Sequence, residues 1–74
     1  MKIYAENCSL ICCKKSKNGK TYGKLYEGGK LFDFVSLNDV EDVENVNAVF
    51  SFNFGKNADG TSWQQLTLKE WQRN

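Results

Sequence analysis

The sequence predicts an all-β protein with one small core. Segments in which apolar and polar residues alternate recur along the 74 residues, and turn-forming pairs of glycine and asparagine separate them. The clearest segment is 46–54, where every second residue is apolar. A chain this short buries only about 60% of its unfolded surface, which is enough for one thin core. We therefore expect a single domain over residues 1–74.

The first predicted strand covers residues 2–15. Its alternation changes phase near residues 7–9, which indicates a β-bulge. The strand carries three cysteines, Cys8, Cys12 and Cys13, and the chain has no histidine. An odd number argues against a disulfide framework, and this spacing is not that of a zinc site. We expect no metal and interpret the three thiols as small buried hydrophobes.

Two short pairs predict the next two turns. Asparagine and glycine at 18–19 predict a type I′ turn before a second strand over residues 20–27. Two glycines at 28–29 predict a turn before a third strand over residues 30–37. Both faces of the third strand are largely apolar. It should be central or covered on both sides, unless one of its phenylalanines lies on a binding surface.

The period changes over residues 38–45. Apolar residues recur at every third position here, which fits one or two turns of helix. The acidic side chains between them should face solvent. They are Asp39, Glu41, Asp42 and Glu44. The segment lacks the glycine and the oxygen spacing of a calcium loop, so a solvated acidic face is the better interpretation.

The remaining chain predicts a fourth strand over residues 46–54 and a fifth over residues 61–69, joined by a hairpin loop. The apolar face of the fourth strand, which ends at Phe54, should form the floor of the core. Trp71 should lie on the same face as Trp63. Three strands, a short helix and two further strands are the element order of the OB-fold. We expect a five-stranded OB-like barrel with one short helical segment; an SH3-like barrel or another five-stranded sheet satisfies the same pattern.

Residues 14–26 concentrate five lysines and two tyrosines, although the net charge of the chain is only +1. Because side chains alternate along a strand, four residues of this stretch should share one face. They are Lys20, Tyr22, Lys24 and Tyr26. Lysines attract phosphates and tyrosine rings stack on bases, so this face indicates binding of single-stranded nucleic acid. A solvated hairpin whose tyrosines cover the core is the structural alternative.

Residues 17–22, with the sequence KNGKTY, resemble the DNA-binding hairpin region of filamentous-phage single-stranded DNA-binding proteins. The likeness extends over residues 10–37. That family coats single strands as dimers of a small OB-type barrel, so the resemblance implies a homodimer from a phage or mobile element. It also implies that Lys17 and Lys20 contact phosphates and that Tyr22 stacks on a base.

These features predict a non-catalytic protein that binds single-stranded DNA or RNA with little sequence preference. The sequence lacks histidine and any phosphate-binding glycine motif, so we expect no enzymatic activity and no cofactor. It also lacks an apolar run of membrane-helix length, so we expect a cytoplasmic protein without a membrane partner. The predicted binding residues are Lys15, Lys17, Lys20, Tyr22, Lys24, Tyr26 and Trp63.

A small protein-interaction or inhibitor module is the second hypothesis. Such a module would use the acidic residues 39–44, or Trp63 and Trp71 as aromatic anchors. The two hypotheses place function on different surfaces, so an oligonucleotide titration distinguishes them.

Overall fold

A closed barrel of five strands forms the fold in the computed structural model, which describes every residue from Met1 to Asn74. The strands are β1 (Lys2–Lys15), β2 (Thr21–Glu27), β3 (Lys30–Ser36), β4 (Val43–Lys56) and β5 (Ser62–Arg73). Around the barrel they follow the order β1-β2-β3-β5-β4, and only the contact between β3 and β5 is parallel. The prediction of an all-β protein with five strands is confirmed. The chain contains no helix that is long and apolar enough to cross a membrane.

The core lies inside the barrel and receives side chains from all five strands. Alternation along each strand sends one set of side chains inward and the other set outward. At the centre, the rings of Phe34 and Phe50 meet edge to face, with centroids 5.7 Å apart. The buried cluster consists of Ala5, Cys8, Leu10, Leu25, Phe34, Val43, Val46, Ala48, Phe50 and Leu68.

Two bulges bend β1. Asn7 and Cys12 adopt left-handed backbone conformations, with φ values of 51° and 55°. The pairing of β1 with β4 shifts register at the first bulge, and its pairing with β2 shifts at the second. The first confirms the bulge predicted near residues 7–9, whereas the sequence did not indicate the second. Because bulges bend a strand and increase its twist, β1 can pair with both neighbours and close the barrel.

The second bulge also decides where the cysteine side chains lie. Cys8 is buried in the core and Cys13 is half-buried against it, whereas Cys12 is exposed. The expectation of three buried thiols is therefore wrong for Cys12, because the bulge takes this residue out of the inward phase. Burial raises the pKa of Cys13 to about 11, and the neighbouring Asp42 carboxylate adds to this effect.

The acidic segment is not helical, so the helix expected over residues 38–45 is wrong. The chain here forms an irregular connection followed by the start of β4. Val40 packs against the core and Val43 is buried in it. The next inward valine follows three residues later because Asn45, with a φ of 57°, shifts the register of β4. The three-residue spacing thus arises from a loop and a bulge, and β-branched valine favours such extended backbone over helix.

Asp42 holds this connection against β1. Its carboxylate accepts hydrogen bonds from the backbone N–H groups of Cys12 and Cys13, at 3.3 and 2.9 Å. A bulge disrupts the hydrogen-bond ladder of a strand, so the carboxylate supplies acceptors that the ladder does not. The bonds favour the ionised carboxylate, and the bond from Cys13 contributes most to keeping the pKa of Asp42 below its ordinary value of 3.8.

Acid should destabilise the fold in part through Asp42. A carboxyl group whose pKa is lowered by folding stabilises the folded state above its unfolded pKa, and this contribution is lost as the pH falls through the folded pKa. When the pH falls from about 7 to about 3, the free energy of unfolding measured in urea should decrease less for Asp42→Asn than for wild type. Glu41→Gln, a change at an exposed neighbour, is the control and should behave like wild type. Equal acid sensitivity of Asp42→Asn and wild type would contradict this role.

Beyond the barrel, β4 and β5 continue as a two-stranded arm, defined here as residues 53–65. The pairing of β1 with β4 ends at Ser51, whereas β4 and β5 remain paired as far as Lys56 and Ser62. The molecule is accordingly elongated, with extents of 42 × 27 × 19 Å. Phe54 therefore lies outside the barrel, and its expected place in the floor of the core is wrong.

The two tryptophans lie on opposite faces of β5. Trp63 is paired with Gly55, and Trp71 is paired with Ala48. Ala48 points into the core, and directly opposed residues share a face of the sheet. An extra residue of β5 at the register shift beside Phe50 changes the phase between the two tryptophans. The expectation that they share a face is wrong, so they do not form a joint anchor.

Candidate nucleic-acid interface

The side chains of Tyr22, Lys24 and Tyr26 project from the outer face of β2, whereas the residues that alternate with them are buried. Tyr22 is 47% exposed and Tyr26 is 45% exposed. The predicted sharing of one face is confirmed for these three residues. Lys20, the fourth residue expected there, precedes β2 and belongs to the turn.

The core supports this face from inside the barrel. A side-chain carbon at Gly23 would lie 2.8 Å from ring atom Cζ of Phe34, so the ring packs directly against the backbone of β2. Phe34 in turn packs against Phe50. Two buried aromatic rings therefore fix the position of the strand from which Tyr22 and Tyr26 project.

Neighbouring strands widen the outer face on both sides of β2. Lys14 of β1 lies opposite Tyr22, and Asp33 of β3 lies opposite Lys24. Lys14 was not among the predicted binding residues. Simple alternation from the buried Leu10 would turn position 14 inward, and the second bulge of β1 turns it outward instead.

The turn between β1 and β2 is a three-residue loop, so the expected type I′ turn is wrong. The N–H of Ser16 donates to the carbonyl of Lys20 at 2.7 Å and closes the loop. Gly19 has a left-handed φ of 84°, but Asn18 does not; its side-chain oxygen accepts a bond from the N–H of Lys20 at 3.3 Å. Three-residue hairpin loops of this kind end in a left-handed residue, which glycine adopts without strain. Lys17 is exposed within the loop.

Two of the predicted lysines form ion pairs within the molecule. The Nζ atom of Lys15 lies 3.3 Å from a carboxylate oxygen of Asp39, and Lys24 pairs with Asp33. The hydrogen bond to Asp33 raises the pKa of Lys24 above its ordinary value. The hairpin lysines that form no ion pair are Lys14, Lys17 and Lys20.

Trp63 lies apart from this surface, on the arm. A side-chain carbon at Gly55 would lie 2.9 Å from the indole ring, so the ring covers that glycine. Trp63 also borders a cavity together with Phe54 and Lys56. The structure thus places six of the seven predicted residues on the β1–β2 hairpin and the seventh on the arm.

The β1–β2 hairpin combines two partly exposed tyrosine rings on its outer face with three ammonium groups, one on β1 and two in the connecting loop, that have no acidic partner. Exposed aromatic rings can stack on bases, and ammonium groups can neutralise phosphates. Comparisons with models of known protein families, with curated proteins and with solved structures find no match to this chain.

Proposed function

We propose that the chain is a non-catalytic protein that binds single-stranded nucleic acid, chiefly DNA, with little sequence preference. The observation that carries this proposal is the outer face of β2, where the partly exposed rings of Tyr22 and Tyr26 flank Lys24. Four residues of extended strand separate the tyrosines by about 13 Å, so each ring can stack on a different base. Every base has a π-face, which is the reason to expect low specificity.

The architecture supports an OB-like assignment. The strand order β1-β2-β3-β5-β4 with a parallel β3–β5 contact suits a small five-stranded OB barrel, even though residues 38–45 are not helical. OB barrels bind oligonucleotides on the face of strands two and three and on the loops after strands one and four. In this chain those places are the outer face of β2, the loop that contains Lys17, and the tip of the arm. Trp63 on the arm can then stack on a more distant base of the same strand.

Lysines of the hairpin are proposed to hold the phosphates. The three that lack an acidic partner can neutralise phosphates without displacing a carboxylate. Lys15 and Lys24 are held by Asp39 and Asp33, so we expect each to add a full phosphate contact only when its carboxylate is removed. The resemblance of residues 17–22 to the phage DNA-binding hairpin supports phosphate contacts in the same loop and suggests a phage or mobile element as the source.

Affinity for labelled oligo-dT should fall as salt rises. Each phosphate neutralised on a single strand contributes about −0.7 to the slope of log K against log salt, so three lysines give a slope of roughly −2. Asp33→Asn frees Lys24 and should tighten binding and make the slope more negative by about 0.7. Fluorescence anisotropy over a salt series measures both effects, with Lys69→Ala on β5 as the control. An affinity that salt does not change would rule out the phosphate contacts, and the same titration with oligo-U decides between DNA and RNA.

A protein-interaction role is the second candidate, and the arm favours it. Phe54 is largely exposed there, and Trp63, which borders the same cavity, is partly exposed. The acidic surface is a weaker candidate because Asp39 and Asp42 form contacts within the molecule. The resemblance implies a homodimer, so we propose a second copy of the chain as the partner of the arm.

Phe54→Ser should shift a dimer towards monomer if the arm mediates self-association. Truncating an aromatic anchor at the centre of an interface typically weakens association by about 2 kcal/mol or more. Sedimentation velocity over a concentration series measures the change. Leu37→Ser, a change at another exposed apolar side chain, is the matched control. A wild-type protein that stays monomeric at about 100 μM, or a dimer that Phe54→Ser leaves unchanged, excludes this use of the arm.

A further inference from the structure

The contact between β3 and β5 is short. Their parallel pairing consists of two residue pairs, which involve Val35 and Ser36 of β3. Along residues 30–34 of β3 and 62–66 of β5, each strand is paired only on its other edge, with β2 or β4. Residues 31–33 and 64–66 of these two unpaired edges border one cavity where the arm leaves the barrel, and we call the space between the edges the β3–β5 gap.

An apolar cavity of about 550 Å³ occupies the β3–β5 gap. Leu25 of the core lies at its base, and Phe32 and Leu66 line it from the two strands. Phe32 is paired with Leu25 and so has the inward phase, yet it is 43% exposed because the gap leaves it uncovered. The expectation that the third strand is covered on both sides is therefore wrong for residues 30–33, which are exposed.

Unpaired strand edges beside an apolar cavity are the features that proteins use to bind extended peptides. The peptide adds a strand to the sheet through main-chain hydrogen bonds, and pockets take alternate side chains. Exposed edges are otherwise hazardous, because they template pairing with other chains. Three residues of each strand, 31–33 and 64–66, border the β3–β5 gap, enough for a short added strand.

The charges around the gap favour a basic occupant. Glu27 and Asp33 are the charged residues that border it; Asp33 is ion-paired with Lys24, whereas Glu27 forms no ion pair. No lysine or arginine lines the cavity, so the phosphates of a nucleic acid would meet the unpaired carboxylate of Glu27 there. A second copy docked by a two-fold contact at this gap would bring two Glu27 carboxylates to one interface, which is also unfavourable.

We propose that the β3–β5 gap binds an extended basic peptide segment of a partner protein by strand addition. The segment pairs its backbone with an exposed edge, inserts apolar side chains against Phe32 and Leu66, and places a lysine or arginine beside Glu27. Tyr22 and Tyr26 project from the outer face of β2 and do not line the gap. Peptide binding and nucleic-acid binding can therefore fail independently of each other.

The test uses a fluorescein-labelled nine-residue peptide in which valines alternate with polar residues, two of them lysines. Its binding is measured by fluorescence anisotropy and mapped by amide chemical shifts of the labelled protein. We expect shifts concentrated in residues 30–34 and 62–66, with Tyr22 and Tyr26 little affected. A version with glutamates in place of the lysines should bind at least about fivefold more weakly, and a version with alternate backbone nitrogens methylated should bind at least about tenfold more weakly.

Two variants test the gap from the protein side. Phe32→Ala should weaken peptide binding about tenfold, whereas Phe54→Ala, the same truncation on the arm, should change it less than about twofold. Glu27→Gln removes the unpaired charge with little change of shape, so it tests the proposal even if Phe32→Ala folds poorly. This change should abolish the preference for the lysine peptide over the glutamate peptide.

Several results would overturn the proposal. They are an absence of measurable binding at about millimolar peptide, amide chemical-shift changes that map to the outer face of β2, and equal binding of the methylated and unmethylated peptides. If oligo-dT changes the amide chemical shifts of residues 30–34, the gap binds nucleic acid and not a peptide. A dimer that Phe32→Ala dissociates would assign the gap to a second copy of the chain.

Discussion

Replacing both Tyr22 and Tyr26 with alanine is expected to weaken oligo-dT binding by a factor between about 30 and about 10⁴. Loss of one base-stacking ring costs about 1–3 kcal/mol. The two rings lie about 13 Å apart on the strand, and effects at sites this far apart usually add. Both side chains project from the barrel and are partly exposed, so the free energy of unfolding should change much less than the affinity.

Two matched variants make this result interpretable. Changing both residues to phenylalanine should keep most of the affinity, because stacking uses the ring and not the hydroxyl group. Tyr4→Ala removes an exposed tyrosine from β1 that lies opposite Val49 of β4, away from the proposed surface, and should leave binding unchanged. Thermal melts and oligonucleotide titrations are needed on each protein. A double alanine variant that melts far earlier but binds like wild type while folded would show that the tyrosines support the barrel instead.

Phe50→Ala is expected to remove about 3–5 kcal/mol from the free energy of unfolding, and Phe54→Ala almost none. Both residues belong to the same apolar face of β4, but Phe50 is 0% exposed inside the barrel and Phe54 is 70% exposed on the arm. Truncating a buried phenylalanine loses burial and leaves a cavity. For a domain of this length the total stability is about 4–11 kcal/mol, so Phe50→Ala should remove a large share of it.

Urea unfolding followed by far-ultraviolet circular dichroism measures the two changes. If Phe50→Ala lowers the urea concentration at the midpoint of unfolding but leaves the m-value unchanged, the substitution has changed stability alone. If Phe54→Ala destabilises the protein as strongly as Phe50→Ala, the arm must be covered in solution. Repeating the measurement over a concentration series then shows whether a second copy covers it, because dimer stability depends on protein concentration.

Much of the candidate site follows from local sequence. Alternation along a strand is enough to place Tyr22, Lys24 and Tyr26 on one face, because it depends only on the period of extended backbone. The adjoining residues do not follow from it. Lys14 reaches the same surface only through the bulge at Cys12, and the ion pair of Lys24 depends on the position of Asp33 across two paired strands.

Residues 38–45 show how one spacing can arise from two structures. Apolar residues at every third position suit a helix, but they also suit a loop followed by a bulged strand. The hydrogen bonds of Asp42 to the β1 bulge select the second structure. Those bonds join residues about thirty positions apart, so no local pattern could have indicated them.

The sequence by itself determined the all-β class, the five strands, the bulge near Asn7 and the faces of β2, because each depends on neighbours along the chain. The tertiary structure alone decided which apolar residues are buried. Phe50 and Phe54 are equivalent by alternation, and they differ because β1 covers one part of β4 and ends before the other. The β3–β5 gap has the same origin, since barrel closure sets how far two strands remain together. Register and closure are properties of strands distant in sequence, and they place the surfaces where a partner can bind.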